Sequence, residues 1–303
     1  MSERQPQTVA VTGATGTLGR PLIDALLARG DQVIALVRDP GHARLPAGVE
    51  LRSWRAGHAQ APLAGADAVI NLAGAPVAAD RWTRRRKAEI VASRIDGTRS
   101  VVAGIRAEPR VKALLSASAV EYTGDTGETI VSEDSPPGTG FLSALVQCWE
   151  AEALRAPERC RVVLLRKGVV LTPAGGMLKT LLPLFRLGLG GPLGDGRQWL
   201  PWIHPADDLA LTLAALDDAS FSGPLLSAAP NPIRQREFVF LLAEALRRPA
   251  LGVAPAWALR LALGEMSRVV LASCNAAPRR PAALGYRFRF PVLTKALADL
   301  LGR

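Results

Sequence analysis

The run Gly13-Ala14-Thr15-Gly16-Thr17-Leu18-Gly19 constrains this chain more than any other stretch. It follows a short β-rich segment, Thr8-Val9-Ala10-Val11-Thr12, and leads into a helical pattern carried by Leu18, Leu22 and Leu26. A strand that passes through glycines into a helix sets backbone N–H groups at the positive end of a helix dipole, where an anion is favoured. Glycine permits the tight turn and the close approach of backbone to a pyrophosphate, and the third glycine lets helix and sheet pack closely. Gly13, Ala14, Thr15, Gly16, Thr17, Leu18 and Gly19 are therefore expected to hold a dinucleotide. Pro21 is compatible with the helix because it falls in the first turn, and Gly30 stands where helices end.

The elements that follow alternate. Residues 32–37 are apolar on both faces, as a buried parallel strand should be. Residues 49–53 and 67–72 read as further strands. A helix over 81–106 is expected to bury Ala88, Val91, Ile95, Thr98, Val102 and Ile105. A strand at 111–116, a helix at 142–155 and a strand at 161–166 complete the rhythm, which predicts a mostly parallel sheet with helices on both faces. Beyond residue 170 it changes to a helix at 178–187, a glycine-rich stretch, a helix at 207–216 and a strand at 224–228. The remainder is mainly helical, except that Tyr286-Arg287-Phe288-Arg289-Phe290 alternates like a half-buried strand. The expected fold is α/β, a Rossmann-type doubly wound parallel sheet with a smaller, mainly helical C-terminal substrate lobe. Residues 1–170 form the dinucleotide domain, with 205–230 returning to it. Residues 171–204 and 231–303 form the substrate-side lobe, including an extension over 251–303.

The second strand ends at Val37-Arg38-Asp39. An acidic residue there holds the ribose hydroxyls of NAD, whereas an arginine accommodates the 2′-phosphate of NADP. Arg38 comes first, and NADP(H) is the expected cofactor. The formal net charge of +10 suits phosphate-bearing ligands. Its densest run, Arg84-Arg85-Arg86-Lys87, carries no interleaved aromatics, so nucleic acid is not an expected partner. Three scattered cysteines and three histidines in 303 residues give no metal-ligand spacing, and no metal is expected. No apolar run is long enough to span a bilayer, and the first residues lack a signal-peptide core. The expectation is a cytoplasmic monomer or homodimer with a small-molecule substrate and no membrane partner.

Three stretches carry a family resemblance: the glycine loop, Asn71-Leu72-Ala73-Gly74 and Ser116-Ala117-Ser118-Ala119-Val120-Glu121-Tyr122. Together they resemble an extended short-chain dehydrogenase/reductase. More narrowly, the chain is similar to a nucleoside-diphosphate-sugar epimerase-like subfamily with a small C-terminal extension. That likeness rests on Arg81-Trp82-Thr83, Leu165-Arg166-Lys167-Gly168-Val169-Val170-Leu171, Pro183 through Pro192, Gly194-Asp195-Gly196-Arg197-Gln198 and Trp202 through Asp208. The resemblance implies a C-terminal lobe capping a substrate cleft, with Leu72, Ala73 and Gly74 lining the cofactor. It places Ser116 and Ser118 near the nicotinamide, with Arg166, Gly168 and Val169 along the same edge.

Enzymes of that superfamily use a Tyr-x-x-x-Lys pair on one helical face, the lysine lowering the tyrosine pKa and the tyrosine moving a proton. Here the tyrosines are Tyr122 and Tyr286, and four residues further on stand Thr126 and Phe290. The helix that should carry the pair, Phe141 through Glu150, has neither tyrosine nor lysine. Ser118 and Tyr122 are the catalytic candidates, with Lys167 a third. Each also has a structural reading, as a turn cap, a packed loop ring or a solvated cation. Arg197, Trp202 and His204 are candidates for the substrate side, where an arginine binds phosphate or carboxylate by paired hydrogen bonds and a tryptophan stacks on a ring. Core packing for Trp202 and a junction role for His204 remain open, and Asp207 or Asp208 reads as a helix cap. Two functions follow. One is an NADP(H)-dependent oxidoreductase or epimerase-like enzyme for a phosphorylated or nucleotide-linked small molecule. The other is a non-catalytic NADPH-sensing regulator.

Overall fold

Side-chain alternation along the first strand sorts the molecule into layers. Val9 and Val11 enter one core and Ala10 the other, all fully buried. In a computed structural model describing residues 5–302, this strand, β1 (Thr8–Thr12), lies in the interior of a seven-stranded sheet, next to its central strand. The other strands are β2 (Gln32–Val37), β3 (Val49–Ser53), β4 (Ala68–Asn71), β5 (Ala113–Ala119), β6 (Arg161–Lys167) and β7 (Gly223–Ser227). Their order is β7-β6-β5-β4-β1-β2-β3 and every pairing is parallel. The chain winds outward from β1 in both directions. The order therefore reverses between β1 and β4, which opens a crevice at their carboxyl ends.

Helices α1 (Gly19–Ala28) and α5 (Pro205–Asp217) cover one face through Leu22, Ile23, Leu26, Leu211 and Ala215. Helices α2 (Arg84–Ala107) and α3 (Phe141–Ala153) cover the other through Val101, Val102, Ile105 and Ala153. The face predicted for α2 is only half right. Thr98, Val102 and Ile105 are buried, but Ala88 is exposed and Val91 and Ile95 are half-buried. The inward line runs instead through Ile90, Gly97, Val101 and Gly104. Gly104 passes so close to the 61–63 loop that a Cβ there would lie 2.5 Å from the Ala61 carbonyl oxygen. Small residues, which a hydrophobic count overlooks, set the approach. The helix also begins three residues later than expected, because the Thr83 hydroxyl accepts from the Arg86 N–H as its N-cap.

The second lobe has its own core. Helices α4 (Gly176–Arg186) and α6 (Gln235–Leu246) meet the last helix around Trp202, Phe185 and Phe238. Between α6 and that last helix come α7 (Ala256–Leu263), α8 (Ser267–Leu271) and α9 (Arg280–Ala283), with α10 (Leu293–Leu300) closing the chain. Helix α7 buries no residue. It is tied to the start of α2: the Arg81 guanidinium donates to the carbonyl oxygens of Leu261 and Ala262, and Lys87 pairs with Glu265 at 2.6 Å. No helix among the described residues is long and apolar enough to cross a membrane.

Tyr286–Phe290 does not form the predicted strand. The N–H groups of Arg289 and Phe290 donate to the Asp207 carboxylate at 2.8 and 2.9 Å, and the Tyr286 hydroxyl donates to the Asp207 carbonyl oxygen. One buried side chain supplies the acceptors that a neighbouring strand would have offered.

Candidate functional site

The glycine loop is held by steric need and by a buried polar network. Gly13 has φ +67°, and a Cβ there would lie 2.9 Å from the carbonyl of Leu72. A Cβ on Gly19 would lie 2.2 Å from the Gly13 oxygen and 2.8 Å from that of Ala14. The Gly16 N–H donates back to Gly13 O at 2.9 Å. Ala14 is buried beneath the loop, whereas Thr15, Gly16 and Thr17 face solvent with Leu18 half-exposed.

Thr12, last in β1, donates its hydroxyl to Asn71 Oδ1 at 2.7 Å and accepts from the N–H groups of Leu72 and Ala73 at 3.0 Å. The Asn71 amide donates onward to Thr98 Oγ1 and Ser116 Oγ, and the Trp149 indole N–H also reaches Thr98 Oγ1. The ends of β1, β4 and β5 are thereby locked to α2 and α3, which presents Leu72, Ala73 and Gly74 beside the glycines. Ser116 belongs to this lock and is buried within it. Beneath Gly74 sits Arg94, close enough that a Cβ on Gly74 would meet its guanidinium carbon at 3.1 Å. Burial pulls the Arg94 pKa down to about 10. Across from it, burial raises the Glu121 carboxyl pKa, and the positive charge of Arg94 only partly opposes the shift.

At the end of β2, Asp39 is already engaged. Its carboxylate accepts from the Gly41 N–H at 3.0 Å and faces His42 Nδ1 at 2.8 Å. Arg38 beside it is exposed and makes no hydrogen bond or ion pair among the described residues.

The catalytic candidates gather around a residue the sequence reading passed over. Ser118 donates its hydroxyl to Glu150 of α3. Arg166, from the end of β6, grips the same carboxylate with two bonds of 2.8 Å and donates a third to the Glu133 carbonyl oxygen at 3.0 Å. The Tyr122 ring lies under that guanidinium, 3.5 Å from its carbon. Ser118, Glu150 and Arg166 are all buried. Arg166 thus spends its guanidinium on Glu150. Gly168 is required by a close approach, since a Cβ there would lie 2.6 Å from Pro201 O, and Val169 pairs with Trp202 in a short parallel ladder. Lys167 is not a solvated cation: it pairs with Asp208 at 2.5 Å, and Ser227 donates to the same oxygen at 2.6 Å. Lys167 and Asp208 share a cavity of about 100 Å³ with Thr17, Leu18, Leu72 and Thr172, immediately beside the glycine loop.

On the other side, the structure places Trp202 and His204 in the interior. Trp202 is 1% exposed in the second core, its indole N–H bound to the Asn231 carbonyl oxygen, so it packs rather than offering a stacking face. His204 is buried and caps α5: its Nδ1 accepts from the Ala206 N–H at 3.1 Å, and its ring stacks on Phe290 with centroids 3.8 Å apart. The imidazole, not Asp207 or Asp208, is the cap. Asp207 instead anchors the 286–290 segment. Arg197 remains exposed near Glu128. Glu128 is gripped by Arg234 at 2.6 and 2.8 Å and by the Trp199 indole, and this grip pulls its pKa down to about 2. The basic run at 84–87 is largely spent internally, with Arg85 and Arg86 on Glu89 and Lys87 on Glu265. No cluster of metal-ligating side chains occurs among the described residues.

Comparison with known proteins gives a consistent result. The sequence profile of the NAD dependent epimerase/dehydratase family matches residues 9–224, and that of a domain of unknown function, DUF1731, matches residues 254–300. The chain is similar to the chloroplastic epimerase family protein SDR39U1 homolog of Arabidopsis thaliana. The two are 38% identical over 313 residues, covering 99% of this chain and 88% of the relative. In structure it is similar to the human epimerase family protein SDR39U1 (isoform2), crystallised with NADPH. The TM-score is 0.89 at 33% identity, over 98% of this chain and 99% of that one. It is also similar to MoeE5, solved in complex with UDP-glucuronic acid and NAD. There the TM-score is 0.76 at 25% identity, over 97% and 98% of the two chains.

Proposed function

The chain belongs to the NAD dependent epimerase/dehydratase family, and from that premise we propose that it is an NADP(H)-binding, epimerase-like oxidoreductase for a phosphorylated or nucleotide-linked small molecule. The observation that carries this reading is the cradle at 13–19, where a single Cβ on Gly19 would collide with two carbonyl oxygens. Such a cradle fits a pyrophosphate, and the N-terminus of α1 stands behind it. Arg38, with no partner of its own, suits the 2′-phosphate, while Asp39 is held in its own turn and is not free for a ribose. The human relative crystallised with NADPH supports that choice, and MoeE5 with UDP-glucuronic acid supports a nucleotide-linked substrate.

When bound, the nicotinamide supplies a hydride donor or acceptor. The remaining chemistry falls to the chain. Ser118 and Tyr122 are the candidate proton-handling groups, and their surroundings set what they can do. The Ser118 hydroxyl is committed to Glu150, so its oxygen lone pairs are left to accept from a substrate hydroxyl. The Tyr122 face is covered by the Arg166 cation. Glu121 adds a carboxyl group that burial disposes to keep its proton, which suits a general acid where the Tyr-x-x-x-Lys pair is missing. Exposed Arg197 is the candidate for a substrate phosphate. A second reading, the NADPH-sensing regulator, is favoured by the same Ser118–Glu150 bond, which removes the usual donor from the site.

Fluorescence titration with NADPH and NADH comes first, followed by incubation with a panel of nucleotide sugars and carbonyl compounds. Loss of NADPH absorbance and proton NMR of the sugars report the outcome. The enzyme reading expects NADPH to bind more tightly than NADH and at least one compound to be reduced, oxidised or epimerised. Tight NADPH binding without turnover of any compound favours the regulator. Absence of NADPH binding overturns both.

A further inference from the structure

The outer face of the second lobe carries apolar side chains that nothing in the fold covers. Leu187 and Leu189, just past α4, are 73% and 60% exposed; Leu251 and Val253 are 77% and 78%; Trp257 and Leu261 of α7 are 69% and 72%. They form one surface. Residues 188–191 run against 249–252, with the Leu251 N–H donating to Gly188 O and the Gly252 N–H to Gly190 O. Gly191 and Gly252 approach so closely that a Cβ on Gly191 would lie 1.7 Å from Gly252 O. Helix α7 begins three residues beyond Val253, with Trp257 and Leu261 one turn apart on the same side. Isolated exposed leucines need no explanation, but a contiguous set of this kind marks a contact surface.

Its charge identifies the occupant. Arg186, Arg248, Arg260 and Arg268 are all exposed around this set, and none makes a hydrogen bond or ion pair through its side chain among the described residues. Glu265, just past α7, is taken by Lys87. A second copy docking face to face would bring two sets of unpartnered arginines together, and like charges placed opposite one another are unfavourable. A layer of anionic headgroups over hydrocarbon satisfies both halves of the patch: arginines reach phosphates while tryptophan and leucine enter the acyl boundary.

We propose that this face docks the protein peripherally onto an anionic lipid bilayer. The contact involves no membrane-spanning segment. The expectation of no membrane partner came from the absence of a long apolar run, and a patch assembled from three separate segments leaves no such run.

Vesicle co-sedimentation tests the proposal with the full chain. Vesicles of phosphatidylcholine containing phosphatidylglycerol are compared with phosphatidylcholine alone. Binding is expected only to the anionic vesicles, with a blue shift in tryptophan emission that is lost in Trp257→Phe while sedimentation persists. Trp257→Ser with Leu261→Ser should lower sedimentation at least tenfold. Arg186→Gln with Arg248→Gln should lower it by about fivefold for each arginine removed, the effect of one charge near an anionic surface. All these positions are exposed, and unchanged circular dichroism and NADPH titration would show that the variants remain folded. Equal binding to both vesicle types, no binding, or binding indifferent to these substitutions overturns the proposal. So does a dimer in sedimentation velocity that the Trp257 and Leu261 substitutions convert to monomer, which would give the face to a second copy.

Discussion

At the scale of single residues, the site depends on positions where one atom decides. Gly19→Ala places a methyl group against two carbonyl oxygens that the loop cannot move without opening. NADPH binding should fall below detection, and the denaturation midpoint should fall with it, since Gly19 is buried where α1 meets the loop. Arg38→Ala should be gentler and selective. Loss of a charge-assisted hydrogen bond of about 1.5–3 kcal/mol weakens NADPH by about tenfold to a hundredfold and leaves NADH nearly unchanged, as paired titrations would show. Both residues are legible in sequence because their meaning is local: a glycine between strand and helix, an arginine at a strand end. Glu150 is not. Its partners Ser118 and Arg166 come from two neighbouring strands, and nothing in the spacing 118, 150, 166 announces that they meet. Glu150→Ala leaves a buried guanidinium unpaired, and denaturant unfolding should show a loss of about 3–5 kcal/mol.

At the scale of elements, strand and helix identities follow from periodicity, and the departures trace to polar side chains acting on the backbone. The 286–290 segment alternates as a strand would, but the Asp207 carboxylate intercepts its N–H groups. Helix α5 starts at a histidine because a neutral imidazole nitrogen can accept a hydrogen bond as serine or aspartate does. That choice makes the lobe pH-sensitive. Burial pushes the His204 pKa below its ordinary value of 6.5, and nearby Asp299 and Asp207 only partly restore it. Above that ordinary value the folded and unfolded chains are both neutral here, and the cap is intact. As the pH falls through it, the unfolded chain takes up the proton first, so stability declines by up to about 1.4 kcal/mol per pH unit until the folded imidazole also protonates. His204→Asn keeps an acceptor at the cap and should remove this decline from thermal melts recorded below neutral pH.

For the whole molecule, the parallel sheet and its crevice were readable from the alternation of strand and helix, because each βαβ unit must cross over in the same sense. The second lobe was less so. Its core is built from α4, α6 and α10, segments spread over more than a hundred residues of chain, around a tryptophan whose burial no local pattern reveals. The sequence profile of the nucleotide-binding part stops at residue 224 and that of the extension begins at 254, yet the molecule joins them, by a short parallel ladder of 275–276 on 130–131 and by the tie of α7 to α2.

The tie between α7 and α2 is made almost wholly of charge: one guanidinium on two helix-end carbonyls and one ammonium on one carboxylate, all of them partly in water. Ions in solution compete with such contacts and shorten their reach to about 8 Å at physiological strength. Helix α7, with no buried residue of its own, has little else to hold it. The breathing of α7 is thus set by the medium as much as by the fold. Hydrogen exchange over residues 256–266 should quicken as salt is raised. Glu265→Lys should quicken it at low salt as well, and pairing it with Lys87→Glu should restore the slow rate. An exchange rate indifferent to both salt and charge would mean that packing, not attraction, keeps α7 in place.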